Sequence, residues 1–265
     1  MMQSMKIAVC FFGITRKLKE HTLASIEECL LRPVADLDPA YKKFGHFNLV
    51  GHVSNPRTGE ADIPVDAGEF KLLNCDAVAT TDQPALDAGM DSKPFEAFGD
   101  GWEDNFSSLK NLLRQFHSLN QVTELLLRSG QHFDAVIYTR ADLRFERRTE
   151  LPKPRAATLY TPWFGRGGGL NDRFALGDLT TMVKYGRRGA MARQYCEATG
   201  KPLHAERFLL WYAKTHHLRI RNLTSIDFSR VRANGTVPAW DIIVKTRFKY
   251  RLRRAVSRLR NLAMG

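Results

Sequence analysis

Apolar positions along this chain follow two periods. Lys6-Ile7-Ala8-Val9-Cys10-Phe11-Phe12 is an almost unbroken apolar run that ends in Gly13-Ile14-Thr15-Arg16. A run this short and this rich in β-formers predicts a strand buried on both faces. Leu23, Ile26, Leu30 and Leu31 then recur at helical spacing, and Pro33 predicts the stop of that helix. Phe47-Asn48-Leu49-Val50-Gly51-His52-Val53 reads as the next strand. Strand, helix and strand in this order form a βαβ unit, which dictates a parallel sheet with a right-handed crossover.

Residues 54–104 carry Pro56, Pro64, Pro84 and Pro94 with many Asp and Gly, and only short apolar pieces such as Phe70-Lys71-Leu72-Leu73. The expectation is an irregular insertion, of a length that in compact domains is usually functional or mobile. Phe106, Leu109, Leu112, Leu113, Phe116, Leu119, Val122 and Leu126 restore the helical period, and Gly130 fits a C-cap. That helix feeds a strand at 134–140, so a second βαβ-like unit is implied. Thr158-Leu159-Tyr160 comes next, and further strands are expected at Arg173 to Gly177 and Leu218 to Arg221. Helices are expected from Leu179 to Ala198 and from about His204 through Phe208, Trp211 and Tyr212.

Composition excludes several classes. With 43% hydrophobic residues, four Trp and sixteen Phe, the chain is not a disordered segment. No run approaches the roughly 20 apolar residues that cross a bilayer, and Ile7 to Ile14 is too short and wrongly flanked for a signal peptide, so a cytoplasmic protein is expected. Cys10, Cys29, Cys75 and Cys196 lie far apart with no Cys-x-x-Cys pair, which indicates neither a zinc site nor a disulfide framework. The net charge of +12 is unevenly spread. Lys245, Arg247, Lys249, Arg251, Arg253, Arg254, Arg258 and Arg260 form a stretch without acids, and removing these eight leaves +4. On a helix starting near Arg247, Phe248, Leu252, Val256, Leu259 and Ala263 share a face, so residues 241–265 read as a basic amphipathic helix suited to an anionic membrane surface. A solvated terminal helix packed on the body is the structural alternative.

Candidate chemistry clusters where strands end. Ala135-Val136-Ile137 runs into Tyr138-Thr139-Arg140-Ala141-Asp142, which puts a guanidinium and a carboxylate at the carboxyl end of a buried strand. Ligands of open α/β sheets bind outside such ends, so Arg140 and Asp142 are candidates for an anion and a metal, against the alternative of a surface salt bridge. Gly165-Arg166-Gly167-Gly168-Gly169 frees the backbone for close approach but lacks the Gly-Lys-Ser/Thr ending of a P-loop, and a flexible surface loop is the alternative. Asn171-Asp172-Arg173 follows it. His204-Ala205-Glu206 sets a carboxylate in the first turn of a helix, either to complement the helix dipole or to act as a general base.

The ordered set comprises a first strand ending in small residues, Arg114-Gln115-Phe116-His117-Ser118-Leu119, Arg140-Ala141-Asp142-Leu143, Asn171-Asp172-Arg173-Phe174-Ala175-Leu176-Gly177 and His204-Ala205-Glu206-Arg207-Phe208-Leu209. It resembles bacterial GT-A-type glycosyltransferases, particularly those found with lipopolysaccharide and capsule genes, over roughly residues 5 to 225. The resemblance implies one α/β domain over residues 1–240, with a Rossmann-type, mostly parallel sheet and helices on both faces. It implies transfer of a sugar from a nucleoside-diphosphate sugar to a hydroxyl of a surface glycan or glycolipid. Gly13, Thr15 and Arg16 would lie near the nucleotide. Arg140, Asp142 and Arg173 would take the diphosphate, and Asp172 and Glu206 would face sugar and acceptor, with Glu206 the first choice of base. The family's Asp-x-Asp pair holds Mn²⁺ or Mg²⁺. Here Asp142 matches the second acid and Arg140 replaces the first, so Asp142 is the one metal ligand implied, and Arg140 is available to the diphosphate directly. The competing class is a non-catalytic polyanion binder, although the body carries no helix-turn-helix, zinc-finger or RNA-recognition signature and no specific nucleic acid is expected.

Overall fold

A computed structural model describes residues 5–55 and 59–238; the amphipathic helix expected at 241–265 lies outside the described residues. The architecture is α/β, built on a seven-stranded sheet ordered β10-β8-β9-β6-β1-β2-β5. In sequence these strands are β1 (Ile7–Gly13), β2 (Lys42–Leu49), β5 (Ala77–Asp82), β6 (Ala135–Arg140), β8 (Thr158–Pro162), β9 (Phe174–Gly177) and β10 (Arg219–Leu223). All pairings are parallel except those of β9, which runs against both β6 and β8. Two small ribbons complete the strands: β3 (His52–Asn55) with β4 (Glu60–Pro64), and β7 (Leu143–Phe145) with β11 (Phe228–Arg230).

The period of two along β1 decides where the core sits. Ala8, Cys10 and Phe12 enter one apolar cluster, packed under the helices α6 (Ser107–Arg128), α7 (Leu179–Arg187), α8 (Ala192–Thr199) and α9 (Ala205–Thr215). Ile7, Val9 and Phe11 point to the opposite face, against Leu18, Ile26, Leu30 and Val34 of the first helical run. Successive strand residues face opposite ways, so a strand apolar at every position demands helices on both faces.

Three expectations change. The segment 54–104 is not an irregular insertion: it supplies the hairpin β3–β4, the edge strand β5, α4 (Gln83–Gly89) and α5 (Lys93–Glu96). The strand expected at Phe47–Val53 divides, its first part closing β2 at Leu49 and its last opening the separate β3 at His52. The helix does not stop at Pro33. It runs as α1 (Leu18–His21), α2 (Leu23–Ile26), a π-helical turn (Glu27–Leu31) and α3 (Arg32–Leu37). Proline removes the hydrogen bond to the carbonyl four residues back. That carbonyl, on Cys29, instead accepts from the backbone N–H of Thr149 at 2.8 Å and from its hydroxyl at 2.6 Å, so the helix continues with no orphaned acceptor.

Candidate functional site

The chain leaves β1 toward β2 on one side and returns to β6 on the other, so β1 and β6 flank a topological switch point, the place where open α/β sheets bind ligands. Register brings the carboxyl ends together. Phe12 pairs with Arg140 and Gly13 with Phe47. The Arg140 N–H donates to the Arg173 carbonyl at 3.2 Å, which holds the entrance of reversed β9 at the same level. Gly13 takes a φ of 102°, a left-handed value that a side chain would strain, and its N–H donates to Ser118 Oγ at 2.8 Å. The Ser118 hydroxyl in turn donates to the His46 carbonyl at 2.8 Å, tying the tip of β1 to α6 and β2.

The cleft at this point is lined by Gly13, Arg16, Arg140, Asp172, Arg173 and Glu206 among others, so six of the eight residues singled out in the sequence converge. Thr15 is buried and does not line the cleft. Asp142 lies beneath the floor, only 2% exposed. Its Oδ1 accepts from Arg140 Nε at 2.8 Å and its Oδ2 from Arg140 Nη2, and Arg16 Nε stands 4.0 Å from Oδ2. Burial works against this carboxylate's charge, yet the Arg140 and Arg16 guanidinium groups outweigh it and hold the pKa at about 2. A second carboxylate, Glu60 of β4, has a fully buried side chain 3.7 Å from both Arg16 Nη1 and Arg232 Nη1, and accepts from the Ala233 N–H at 2.9 Å. Arg230 also lines the cleft.

Four guanidinium groups, of Arg16, Arg140, Arg230 and Arg232, are thus gathered around two carboxylates. The surplus is felt in the cations themselves. Burial, and next the guanidinium of Arg16, lower the pKa of Arg232 to about 10, and burial lowers that of Arg16. Arg16 Nε and Nη1 and Arg232 Nε are buried with no hydrogen-bond partner. Buried N–H donors without acceptors are costly, and the excess of positive charge at the cleft suits it to an anion. A divalent cation does not fit the same donors. Both oxygens of Asp142 already face Arg140, the cluster is net positive, and the described residues contain no group of three or more His, Cys, Asp or Glu able to hold a metal.

The opposite wall carries the other two acids. Gln115 of α6 bridges one of them, Asp172, to Arg140: its Oε1 accepts from Arg140 Nη1 at 3.4 Å and its Nε2 donates to Asp172 Oδ2 at 2.8 Å. Tyr185 donates to the Asp172 carbonyl at 2.9 Å. Behind it lies Arg188, 1% exposed, its guanidinium 4.0 Å from the Tyr185 ring centroid. Burial opposes the charge of Asp172, but Arg173, the Gln115 amide and Arg188 outweigh it and keep its pKa below the ordinary value. Glu206 moves the other way. Burial and the neighbouring Asp172 charge push its pKa up, in spite of an Arg173 Nη2 donor at 3.0 Å from Oε1. His204 Nδ1 lies 3.3 Å from Glu206 Oε2, and burial lowers the imidazole pKa to about 4, so that ring is neutral near pH 7.

The glycine-rich loop has a packing role here. A Cβ on Gly169 would sit 1.8 Å from the Glu206 carbonyl oxygen, and the Leu170 N–H donates to that oxygen at 3.0 Å. Only a glycine lets the loop meet the first turn of α9 this closely. Sequence reasoning missed Glu60, Arg230, Arg232 and Gln115 as members of the site. The alternation Arg230-Val231-Arg232 was a usable signal, whereas Glu60 sits in a polar hairpin that no apolar period marks. No protein-family model matches this chain, and no curated protein matches it significantly, so its function is read from this geometry.

Proposed function

We propose that this chain is a glycosyltransferase that moves a sugar from a nucleoside-diphosphate sugar to a hydroxyl of a surface glycan or glycolipid. The observation that carries the reading is the surplus of half-buried guanidinium groups over carboxylates at the switch point between β1 and β6, with nitrogens of Arg16 and Arg232 that make no hydrogen bond. Chemistry that expels a nucleoside diphosphate must neutralise the charge that builds on it, and preorganised cations in a cleft do this without reorganisation. A mostly parallel sheet with one reversed strand beside β6 supports a GT-A-type fold.

The two acids divide the remaining work. Two carboxylates whose surroundings drive their pKa values apart suggest an acid–base assignment. Asp172 stays ionised and orients Gln115, while Glu206, with its raised pKa, is suited to take a proton near neutral pH. In the proposed step Glu206 accepts the proton of the acceptor hydroxyl. The acceptor oxygen bonds to the anomeric carbon, the bond from that carbon to the diphosphate oxygen breaks, and its electron pair leaves with the diphosphate into the arginine cluster. Arg140, held by Asp142, takes the place that the resemblance gives to a metal-binding acid, so the reading routes no step through a metal.

The test is a thermal-shift screen with UDP, GDP, CMP, dTDP and their sugar conjugates, run in EDTA and again in Mn²⁺. A ligand at 100 times its Kd stabilises by about 2.7 kcal/mol, so a specific nucleotide should raise the Tm by several degrees in EDTA as well. Glu206→Gln should keep that shift and lose transfer by at least about 100-fold. If no nucleotide moves the Tm of the intact protein, the reading fails.

A further inference from the structure

On the Glu206 side of the cleft, one aromatic pair has no part in the chemistry above. The indole of Trp102 stacks on the imidazole of His204, with ring centroids 4.7 Å apart and planes at 16°. Trp102 is half-buried and lines the cleft together with Ser108, Asn111, Ala205 and Glu206. His204 covers one face of the indole, and the ring, packed partly against the main core cluster, contributes its half-exposed surface to the lining of the cleft.

The backbone that presents this indole is strained. Glu103, Asn105 and Phe106 have φ values of 53°, 54° and 59°, all left-handed and none of them glycine. Such residues persist only where their surroundings over-determine them, and they cluster at ligand clamps and active sites. The constraint is visible here. Asp100 accepts from the N–H groups of Trp102 at 3.0 Å, Asp104 at 2.9 Å and Phe106 at 2.9 Å, which folds the segment into a tight loop ahead of α6. The same loop rests on the residues leading into α9, since a Cβ on Gly101 would lie 3.3 Å from Pro202 Cβ. Loop, His204 and Glu206 are therefore held as one unit. The Nδ1 of His204, buried beside Glu206, has no hydrogen-bond partner of its own.

We propose that Trp102 is the acceptor-binding platform of this cleft, stacking on the apolar face of a pyranose ring whose hydroxyl is turned toward Glu206. The chemistry fits the geometry. A pyranose presents C–H groups on its faces and hydroxyls at its rim. A flat, half-buried indole beside a carboxylate, with Ser108 and Asn111 nearby, offers an apolar surface next to polar atoms for that rim. Indole carries the most π-surface of any side chain and has only two torsions to immobilise, so it orders a sugar at small entropic cost. Trp102 is thus a specificity residue, and it acts on the acceptor rather than on the diphosphate held by the arginines. The assignment rests on the transferase reading for its direction but not for its chemistry.

The experiment titrates a panel of methyl pyranosides (gluco, galacto, manno and N-acetylglucosamine) into the full-length protein, following tryptophan fluorescence. UDP and GDP binding is followed in parallel by calorimetry. At least one pyranoside should change the emission of the wild type at millimolar concentration, and the change should vanish in Trp102→Phe while persisting in Trp211→Phe. Its affinity, read in the variants by the same calorimetry, should fall at least 10-fold in Trp102→Ala and less in Trp102→Phe, with the nucleotide Kd unchanged in both. Equal pyranoside binding in wild type and Trp102→Ala would overturn the proposal. So would loss of nucleotide binding in Trp102→Phe, which would assign the ring to the donor base. A wild type that binds a pyranoside through Trp102 but no nucleotide would refute the transferase reading and leave the sugar platform standing.

Discussion

Asp142 shows how burial changes the meaning of a charged residue. At the end of a strand, Arg140 and Asp142 could have formed a solvent-exposed pair worth little. The carboxylate is instead 2% exposed and faces two guanidinium groups, and its pKa is held at about 2. Removing one partner of a buried pair leaves the other charge uncompensated, so Asp142→Asn should cost about 3 kcal/mol of stability in urea titrations near pH 7. The sign of the pH dependence follows from the shift. The folded pKa lies below the unfolded value of about 3.9, so the stabilisation is present above pH ~4 and lost as pH falls through about 2. The stability gap between wild type and Asp142→Asn should therefore narrow across that window. A gap that stays constant from pH 5 to pH 2 would show that the carboxylate is not acting as an ionised partner. Because Asp142 lies under the cleft rather than in it, the variant should also let Arg140 swing, weakening nucleotide binding indirectly.

The site is assembled where elements touch, and the contact of the 165–169 loop with the first turn of α9 is the tightest of these. Gly169→Ala would press a methyl group to within 1.8 Å of the Glu206 carbonyl oxygen, 2.2 Å of its carbon and 2.6 Å of the Arg207 nitrogen, all backbone atoms that no rotamer change can move. The first turn of α9 must shift. The expected result is a stability loss of about 1–3 kcal/mol from overpacking, and about 100-fold slower transfer from a displaced Glu206. Nucleotide binding at the arginines should be spared. Gly130→Ala is the matched control: its φ is 63°, nothing lies within 4 Å of the new Cβ, and it follows α6 far from the cleft, so it should lower stability without lowering activity. What the chain announced in advance were elements with a clear apolar period, such as β1, α6 and β6. Those it concealed had none. The edge strand β5, Ala-Val-Ala-Thr-Thr-Asp, carries too little apolar side chain to stand out, and β7 and β11 are three residues each. The first helical run passed through Pro33 because Thr149, more than a hundred residues away, satisfies the Cys29 carbonyl. The candidate site divides in the same way. Residues at the ends of apolar strands were legible, whereas Glu60 and Arg232 arrive from segments that only the tertiary fold brings to Arg16.

Charge is distributed unevenly between the body and the tail. Of the net charge of +12, eight units belong to the acid-free stretch from Lys245 to Arg260, which lies beyond the described residues. The cations of the cleft are held in place by buried acids, while those of the tail have no acid in their own stretch. No helix among the described residues is long and apolar enough to cross a membrane. Lys and Arg near an anionic surface contribute about 1 kcal/mol each, and apolar residues inserted on one helix face add to this. Deleting residues 244–265 should therefore abolish sedimentation with vesicles of phosphatidylglycerol and phosphatidylethanolamine, and slow transfer to a membrane-embedded acceptor. Nucleotide binding by the remaining body should be unaffected. Raising salt from 50 to 500 mM should weaken the vesicle binding of the full chain and leave its nucleotide affinity much less changed, because buried pairs are screened less than exposed charges. A truncated chain that still sediments as tightly as the intact one would remove the tail from the membrane and put the surface-binding charge on the body.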